Sequence, residues 1–164
     1  MPQRFRAAAL GLALVAALGL GACSNDKDLA DASAFGAGAA TPGSAQDFVV
    51  NIGDRVFFES DSTDLTPTAN ATLDKQAAWL QRYPRYTFII EGHADERGTR
   101  EYNFSLGARR AQAVNDYLAT RGIAASRMRT VSYGKERPVA VCNDISCWSQ
   151  NRRAVIVLDR GAGA

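Results

Sequence analysis

Two residues near the middle of the chain have the charges and the setting to bind a ligand that is itself doubly charged. Asp95 lies in a loop rich in charged residues, and Arg110 lies in the helix that the pattern predicts from about Thr99. One face of that helix comprises Leu106, Arg110, Val114 and Leu118. Removing a guanidinium from water is costly unless a carboxylate or a ligand meets it. Asp95 is therefore the expected counterpart of Arg110.

The residues leave two interpretations of this pair open. In the first, Asp95 and Arg110 form a structural ion pair that pins the loop to the helix. In the second, they lie side by side in an open pocket and bind a zwitterion, whose carboxylate meets Arg110 and whose ammonium meets Asp95. Arg109 is an internal contrast, because it falls on the polar face near Gln112 and Asp116 and is predicted to be solvated.

The same residue types argue against a triad and against a metal or cofactor site. His93 is the one histidine of the chain and there is no Gly-x-Ser-x-Gly motif, so a nucleophile would lack its usual base. We expect His93 to be neutral and bonded to a nearby backbone group. Its spacing from Cys142 and Cys147 matches no metal site. No metal and no cofactor are predicted.

Pairs of acids could still flank a glycosidic bond, as in a hydrolase. The candidates are Asp61, Asp64, Asp95 and Glu96. A hydrolase needs one of them protonated in an apolar setting, whereas all four lie in polar loops near arginines, which lower carboxylate pKa values. We predict binding without catalysis, with an envelope hydrolase as the alternative.

The charge balance argues against nucleic acid as a partner. Arg4 and Arg6 are the only charged residues before Cys23. Without them, the 19 Lys and Arg residues are reduced to 17, equal to the 17 Asp and Glu residues. A chain that is neutral after processing lacks the net basic face that phosphate binding requires.

The beginning of the chain predicts export and a lipid anchor. Residues 1–22 combine Arg4 and Arg6 with an apolar run too short for a permanent membrane span, which is typical of a cleaved signal peptide. The run ends in a sequence that resembles the bacterial lipobox, so Cys23 would become the acylated N-terminus, and Ser24 favours the outer membrane. Cys142 and Cys147 can pair in an oxidising periplasm, which leaves Cys23 for the lipid.

The rest of the chain divides into a linker, one domain and a tail. Residues 23–47 are rich in Ala, Gly, Ser and Asp and predict a flexible tether with a mean span of roughly 25–30 Å. Residues 48–160 predict the folded domain, and residues 161–164 a disordered tail.

Apolar patterns within the domain predict an α+β fold. Strands are expected from Val49, broken at Gly53-Asp54 and ending at Phe58, and then over residues 85–91, 127–133 and 154–158. Helices are expected after Thr66 and Thr99. Trp79 falls off the apolar stripe of the first helix and is predicted to be partly covered. The order β-α-β-α-β-β predicts a mixed sheet with helices packed on one face, and residues 154–158 as an interior strand.

Several ordered motifs also resemble a known family. The segments GHADERGTREYNFSLGARRAQAVNDYL, SYGKERP and NRRAVIV are similar to those of the OmpA-like peptidoglycan-binding domain family, over about Val49 to Leu158. The resemblance implies non-covalent binding of the peptide stem of peptidoglycan at the zwitterionic end of diaminopimelate. The residues that it assigns to the pocket are Asp95, Arg110, Asp61, Asn103, Leu106 and, at the rim or bracing Asp95, Arg153.

The resemblance also implies a setting and partners. It implies an outer-membrane lipoprotein whose domain faces the periplasm and which acts in envelope integrity and cell division with TolB and other components of the Tol-Pal system. An aromatic residue often stands at the position of Ser60 in relatives, so packing against the ligand differs on that side. A protein-interaction scaffold without wall binding is a further alternative.

Overall fold

The computed structural model describes residues 40–159, which form a four-stranded sheet and its helices. The predicted signal peptide, Cys23, most of the predicted linker and the tail lie outside the described residues. The elements in chain order are α1 (Ala45–Asp47), a π-helical turn (Phe48–Ile52), β1 (Arg55–Phe57), α2 (Pro67–Arg82), β2 (Phe88–His93), α3 (Arg100–Thr120), a 3-10 turn (Ala125–Arg127), β3 (Met128–Gly134), α4 (Ile145–Asn151) and β4 (Arg153–Leu158).

The sheet is mixed, which confirms the predicted α+β fold. Its strand order is β1-β4-β2-β3, with β2 parallel to β3 and β4 antiparallel to both β1 and β2. β4 is an interior strand, as its apolar composition predicted. The short helix α4 was not predicted. No helix within residues 40–159 has the length and apolar character that crossing a bilayer requires.

Side-chain caps set the starts of the two long helices. The Thr66 hydroxyl accepts a hydrogen bond from the Ala69 backbone N–H at 3.1 Å, and Pro67 occupies the first turn of α2. The Thr99 hydroxyl accepts from the Tyr102 backbone N–H at 3.2 Å and starts α3. The apolar stripe of α3 is buried as predicted, and Arg110 on that stripe is fully buried with it.

Two glycines bring α3 into backbone contact with the sheet. A Cβ on Gly92 of β2 would lie 1.8 Å from the Gly107 carbonyl oxygen, and a Cβ on Gly107 would lie 2.5 Å from Ser132 Oγ on β3. Neither position has room for a side chain. This close approach holds the start of α3 directly over the ends of β2 and β3, where the charged loop begins.

The N-terminal boundary of the domain differs from the prediction. The linker was expected to reach Asp47 and a strand to begin near Val49, but residues 45–47 form α1 and residues 48–52 a π-helical turn, so the predicted strand is confirmed only over Arg55–Phe57. Asp47 is buried and accepts hydrogen bonds from Trp79 Nε1–H and from the Gly43 N–H, both at 2.8 Å.

Trp79 is consequently buried instead of partly covered. Only 6% of its surface is exposed, and its ring packs against Phe48, Tyr83 and Tyr86 at centroid distances of 4.9, 4.7 and 5.2 Å. The last residue of the predicted linker, Asp47, supplies the acceptor for its N–H, and the adjacent Phe48 covers one side of the ring.

Candidate functional site

A small open cavity lies where the loop after β2 meets the loop after β1. Its volume is about 250 Å³, and we call it the Asp95 cavity. The residues that line it are Ser60, Asp61, Asp95, Arg97, Gly98, Tyr102, Asn103 and Leu106. Four of the six predicted pocket residues are among them. Larger cavities of about 630 and 770 Å³ elsewhere contain none of the six.

The loop after β2 is shaped by a glycine and by an amide. Gly98 has a φ of +83°, which side chains rarely tolerate, and lets the chain turn into α3. Asn103 is buried on the first turn of α3 and donates from Nδ2 to the Arg97 carbonyl oxygen at 2.7 Å. Asn103 therefore holds the loop against the helix, with Leu106 one turn farther along the cavity wall.

Asp95 has two guanidinium partners, and neither belongs to Arg110. Arg97 donates to its carboxylate from Nε at 3.0 Å and from Nη2 at 2.7 Å, and Arg152 donates from Nη1 at 3.4 Å. Burial alone would raise the pKa of Asp95, but the hydrogen bonds and charge of Arg97, with that of Arg152, outweigh it and lower the pKa. The Asp95 carboxylate is ionised at neutral pH, whereas a general acid must carry its proton.

Asp61 supplies a second carboxylate to the Asp95 cavity from the opposite loop. It is exposed, has a φ of +55°, and accepts a hydrogen bond from the Tyr102 hydroxyl. That hydrogen bond raises the pKa of Tyr102, so Tyr102 stays protonated and keeps donating. The two acids thus approach the cavity from two different loops.

Arg110 is fully buried and each of its guanidinium nitrogens donates to a backbone carbonyl oxygen. The acceptors are Ser62 at 2.9 Å from Nε, His93 at 2.8 Å from Nη1 and Glu59 at 3.2 Å from Nη2. The expected direct ion pair with Asp95 is absent among the described residues, and Arg110 does not line the cavity. Burial lowers the pKa of Arg110 to about 10, so the residue remains charged at neutral pH. Arg110 ties the loop after β1 to the end of β2.

Comparison with known proteins identifies the family. The OmpA family model matches residues 57–152. A peptidoglycan-associated lipoprotein from Rhizobium meliloti (strain 1021) is 64% identical over 156 residues, which is 93% of this chain and 88% of the relative. The chain belongs to the OmpA family, among its peptidoglycan-associated lipoproteins. This membership confirms the predicted family and the prediction that the chain is not an enzyme.

More distant members and solved structures agree with this assignment. The peptidoglycan-associated lipoprotein of Pseudomonas aeruginosa is 52% identical over 97 residues, which is 59% of this chain and 57% of the relative. The crystal structure of the Burkholderia pseudomallei peptidoglycan-associated lipoprotein aligns with a TM-score of 0.63 at 42% identity, covering 65% of this chain and 90% of that one. The C-terminal domain of Helicobacter pylori MotB aligns with a TM-score of 0.62 at 23% identity, over 66% of this chain and 86% of that one, and shares the fold.

Arg153, which the OmpA family resemblance placed near Asp95, lies elsewhere. Its guanidinium donates to the carbonyl oxygens of Asn151 at 3.3 Å and Arg137 at 3.1 Å. Successive side chains of β4 point to opposite faces of the sheet, and Ala154 and Ile156 face the helices. Arg153 therefore belongs to the other face, and its neighbour Arg152 contacts Asp95 instead.

His93 lies on the same face as Arg153 and is buried without a hydrogen bond from either ring nitrogen. Burial, and then the charges of Arg153, Arg137 and Arg55, lower its pKa to about 4. The imidazole is neutral, as predicted, but the expected bond to a backbone group is absent. Within residues 40–159, no group of three or more His, Cys, Asp or Glu side chains could hold a metal ion.

Cys142 and Cys147 form a disulfide bond, which confirms the predicted pairing. The bond joins the segment before α4 to the first turns of that helix. Trp148, the next residue, donates its Nε1–H to the carboxylate of Glu96, which lies in the loop after β2. The Arg97 guanidinium lies over the Trp148 ring, 4.3 Å from its centroid. The disulfide-linked helix α4 thus contacts the loop after β2.

Sequence reasoning missed three residues that contact the Asp95 carboxylate or its partners. Arg97 was detectable, because it follows Asp95 by two positions in the same loop. Arg152 stands beside Arg153, to which the family resemblance had assigned the contact, and it is Arg152 that donates to Asp95. Trp148 had no signal of its own, since its contact with the loop depends on the unpredicted helix α4.

Proposed function

We propose that this chain is a lipid-anchored outer-membrane protein that binds peptidoglycan non-covalently through the Asp95 cavity. Its place in the OmpA family and its identity with peptidoglycan-associated lipoproteins support the proposal. The proposed ligand is the zwitterionic end of diaminopimelate in the stem peptide. The observation that carries the proposal is that two carboxylates, from Asp61 and Asp95, approach one solvent-open cavity beside the apolar side chain of Leu106.

In this proposal, each residue of the site has a distinct task. The ligand ammonium binds the carboxylate of Asp95, whose pKa is lowered by Arg97, and is attracted by the carboxylate of Asp61. Leu106 packs against the methylene groups of diaminopimelate. Asn103 and Arg110 act indirectly, since their hydrogen bonds hold the two loops in place.

Asp61→Asn tests the proposal with little risk to the fold. Asp61 is exposed, and asparagine also tolerates the left-handed backbone at this position. The variant should bind purified sacculi about tenfold more weakly in a co-sedimentation assay, because an amide does not attract the ligand ammonium as a carboxylate does. Asp95→Asn should lose more, since that carboxylate lies deeper in the cavity. Both assays use the full chain in detergent.

Asp116→Asn is the matched control, because Asp116 is an exposed carboxylate on the polar face of α3. It should bind sacculi like the wild type. If the Asp61 and Asp95 variants also bound like the wild type, the Asp95 cavity would not be the binding site. Release of soluble muropeptides from sacculi by the pure chain would instead establish an envelope hydrolase.

The lipid anchor and the protein partners belong to the same proposal. We place the acyl chains on Cys23 and the domain in the periplasm, and Cys23→Ser should abolish lipid labelling and release the protein from membranes. TolB and other components of the Tol-Pal system are the proposed partners, on the family resemblance. Purified TolB should be retained by the immobilised chain. Retention of TolB without any binding of sacculi would favour a pure interaction scaffold.

A further inference from the structure

A second groove adjoins the loop after β2 and shares none of the residues that line the Asp95 cavity. Two cavities of about 630 and 380 Å³ make up this groove, and Lys135 lines both of them. The Lys135 ammonium donates to the carbonyl oxygens of Glu96 at 3.1 Å and Gly98 at 2.6 Å, so the loop joins the groove to the Asp95 cavity. We call it the Lys135 groove, and the residues that define it are Phe104, Gly134, Lys135, Pro138 and Val141.

The wider part of the Lys135 groove presents an aromatic side chain on a fixed backbone. Phe104 of α3 lines it and is 57% exposed. Ser132 of β3 donates from Oγ to the Phe104 carbonyl oxygen at 2.7 Å, and a Cβ on Gly134 would stand 2.9 Å from the Phe104 nitrogen. These contacts hold the start of α3 against the end of β3 and leave the Phe104 ring available to a ligand.

The narrower part of the Lys135 groove has an apolar side chain that is also held in place. Val141 is 89% exposed. The residue before it, Ala140, donates its N–H to Asn151 Oδ1 at 3.2 Å and accepts from Asn151 Nδ2 at 2.8 Å, and the residue after it, Cys142, is bonded to Cys147. A surface that is already ordered loses little conformational freedom when a ligand binds.

Four of the five charged side chains that line the Lys135 groove have partners within the protein. Arg100 Nε contacts the Glu136 carboxylate at 3.1 Å, Lys135 donates to two carbonyl oxygens, and Glu96 accepts from an indole N–H. The groove therefore suits an uncharged ligand with apolar faces and hydroxyl groups, whereas the two carboxylates of the Asp95 cavity suit a cation.

We propose that the Lys135 groove binds the glycan strand of the peptidoglycan whose stem peptide enters the Asp95 cavity. The glycan is an uncharged chain of N-acetylated sugars, whose apolar ring faces and acetamide methyl groups pack on Phe104 and Val141. Two amino acids and a lactyl group separate diaminopimelate from the glycan, a reach of roughly 10 Å when extended. The glycan therefore lies close to any stem peptide that is bound beside the same loop. This inference rests on the proposed function and adds a second site to it.

Binding at both sites should make a muropeptide a tighter ligand than its stem peptide alone. The two ligands are the free tripeptide that ends in diaminopimelate and the same tripeptide joined to its disaccharide of N-acetylglucosamine and N-acetylmuramic acid. The full chain in detergent should bind the disaccharide tripeptide about three- to tenfold more tightly, because a stacked aromatic contact has an effect of that size. Isothermal titration calorimetry measures the ratio. Equal affinities in the wild type would overturn the proposed glycan site and leave the proposed function standing.

Phe104→Ala removes the aromatic contact with little risk to α3, since alanine is the best helix former. The variant should bring the ratio of the two affinities close to one and leave the affinity for the free tripeptide unchanged. Phe57→Ala is the matched control, because Phe57 is 46% exposed on β1, at the opposite edge of the sheet from β3. It should keep the wild-type ratio. A Phe104→Ala chain with the wild-type ratio would show that the ring does not contact the glycan.

Glycan strands without peptide separate a failure of the Lys135 groove from a failure of the proposed function. An amidase that cleaves the bond between the lactyl group and the first alanine prepares them, and the immobilised strands should retain the wild-type chain and Asp61→Asn but not Phe104→Ala. Binding of the free tripeptide without any retention on these strands would contradict the glycan site alone. Retention on the strands without binding of the free tripeptide would contradict the proposed function of the Asp95 cavity and leave the groove standing.

Discussion

At the scale of single residues, Arg110 shows how a buried charge can serve the fold. Its charge is solvated by the carbonyl oxygens of Glu59, Ser62 and His93 and by the ring of Phe58, whose centroid lies 5.2 Å away. Charge-assisted hydrogen bonds of this kind are stronger than neutral ones. They replace the ion pair with Asp95 that the sequence led us to consider.

Replacing Arg110 should therefore destabilise the domain. Arg110→Leu would leave three carbonyl groups without this donor and should lower the free energy of unfolding by about 3 kcal/mol or more. Arg109→Leu is the matched control on the exposed face of α3 and should change it by less than about 0.5 kcal/mol. Urea unfolding of both variants measures the difference. Equal stabilities would mean that the guanidinium does not hold the loop.

His93 makes the stability of the domain depend on pH. Its pKa is about 4 in the folded chain, against an ordinary value of 6.5. As the pH falls below 6.5, His93 is protonated in the unfolded chain, whereas in the folded chain it is protonated only near pH 4. The free energy of unfolding should fall by roughly 2 to 3 kcal/mol across this window.

Since His93 is the one histidine of the chain, a single substitution isolates its effect. Urea unfolding at pH 7 and at pH 4.5 should show a smaller loss for His93→Gln than for the wild type. The lowered pKa of Asp95 acts in the same direction but only below its ordinary value of 3.8, because its contribution is lost as that carboxylate is protonated. The same loss in both proteins would contradict burial of a neutral imidazole.

At the scale of elements, the short helices α1 and α4 each bring one side chain into contact with another part of the fold. α1 brings the Asp47 carboxylate to Trp79 of α2, and α4 brings Trp148 to the loop after β2. Neither element has enough residues to display a hydrophobic period. Asp144 caps α4 by accepting from the Ser146 N–H at 2.8 Å, a local signal that the surrounding polar residues obscured.

Deleting residues 40–47 from the full chain tests the role of α1. The deletion removes the Asp47 carboxylate that accepts from Trp79 Nε1–H and the helix that precedes Phe48, which packs on the Trp79 ring, so the tryptophan emission should shift to longer wavelength and the melting temperature should fall. Deletion of residues 28–35, an equally long part of the predicted linker, should change neither. Matching behaviour of the two deletions would mean that residues 40–47 serve only as linker.

At the scale of the whole molecule, the sheet predicted from strand patterns was close to the one that forms. The residues around Ile90 and those from Ala154 to Leu158 were correctly assigned to strands, and the stripe of α3 was correctly assigned to the core. Long periodic segments bury one face wherever they pack, so their pattern survives any tertiary arrangement. The predicted start of the domain was wrong, because a segment rich in Ala, Gly, Ser and Asp can form a short capped helix as well as a flexible linker.

The sequence by itself determined the elements that carry Asp61, Asp95, Asn103 and Leu106, because periodicity and capping act over a few neighbouring residues. Only the tertiary structure decided which charge meets which. Arg110 donates to backbone carbonyl groups and Arg97 to Asp95, while Arg153 at the start of β4 donates to the Arg137 carbonyl oxygen and Arg152, the residue before β4, donates to Asp95. Electrostatic partners are selected by distance and burial in three dimensions, and the spacing of residues along a chain contains neither.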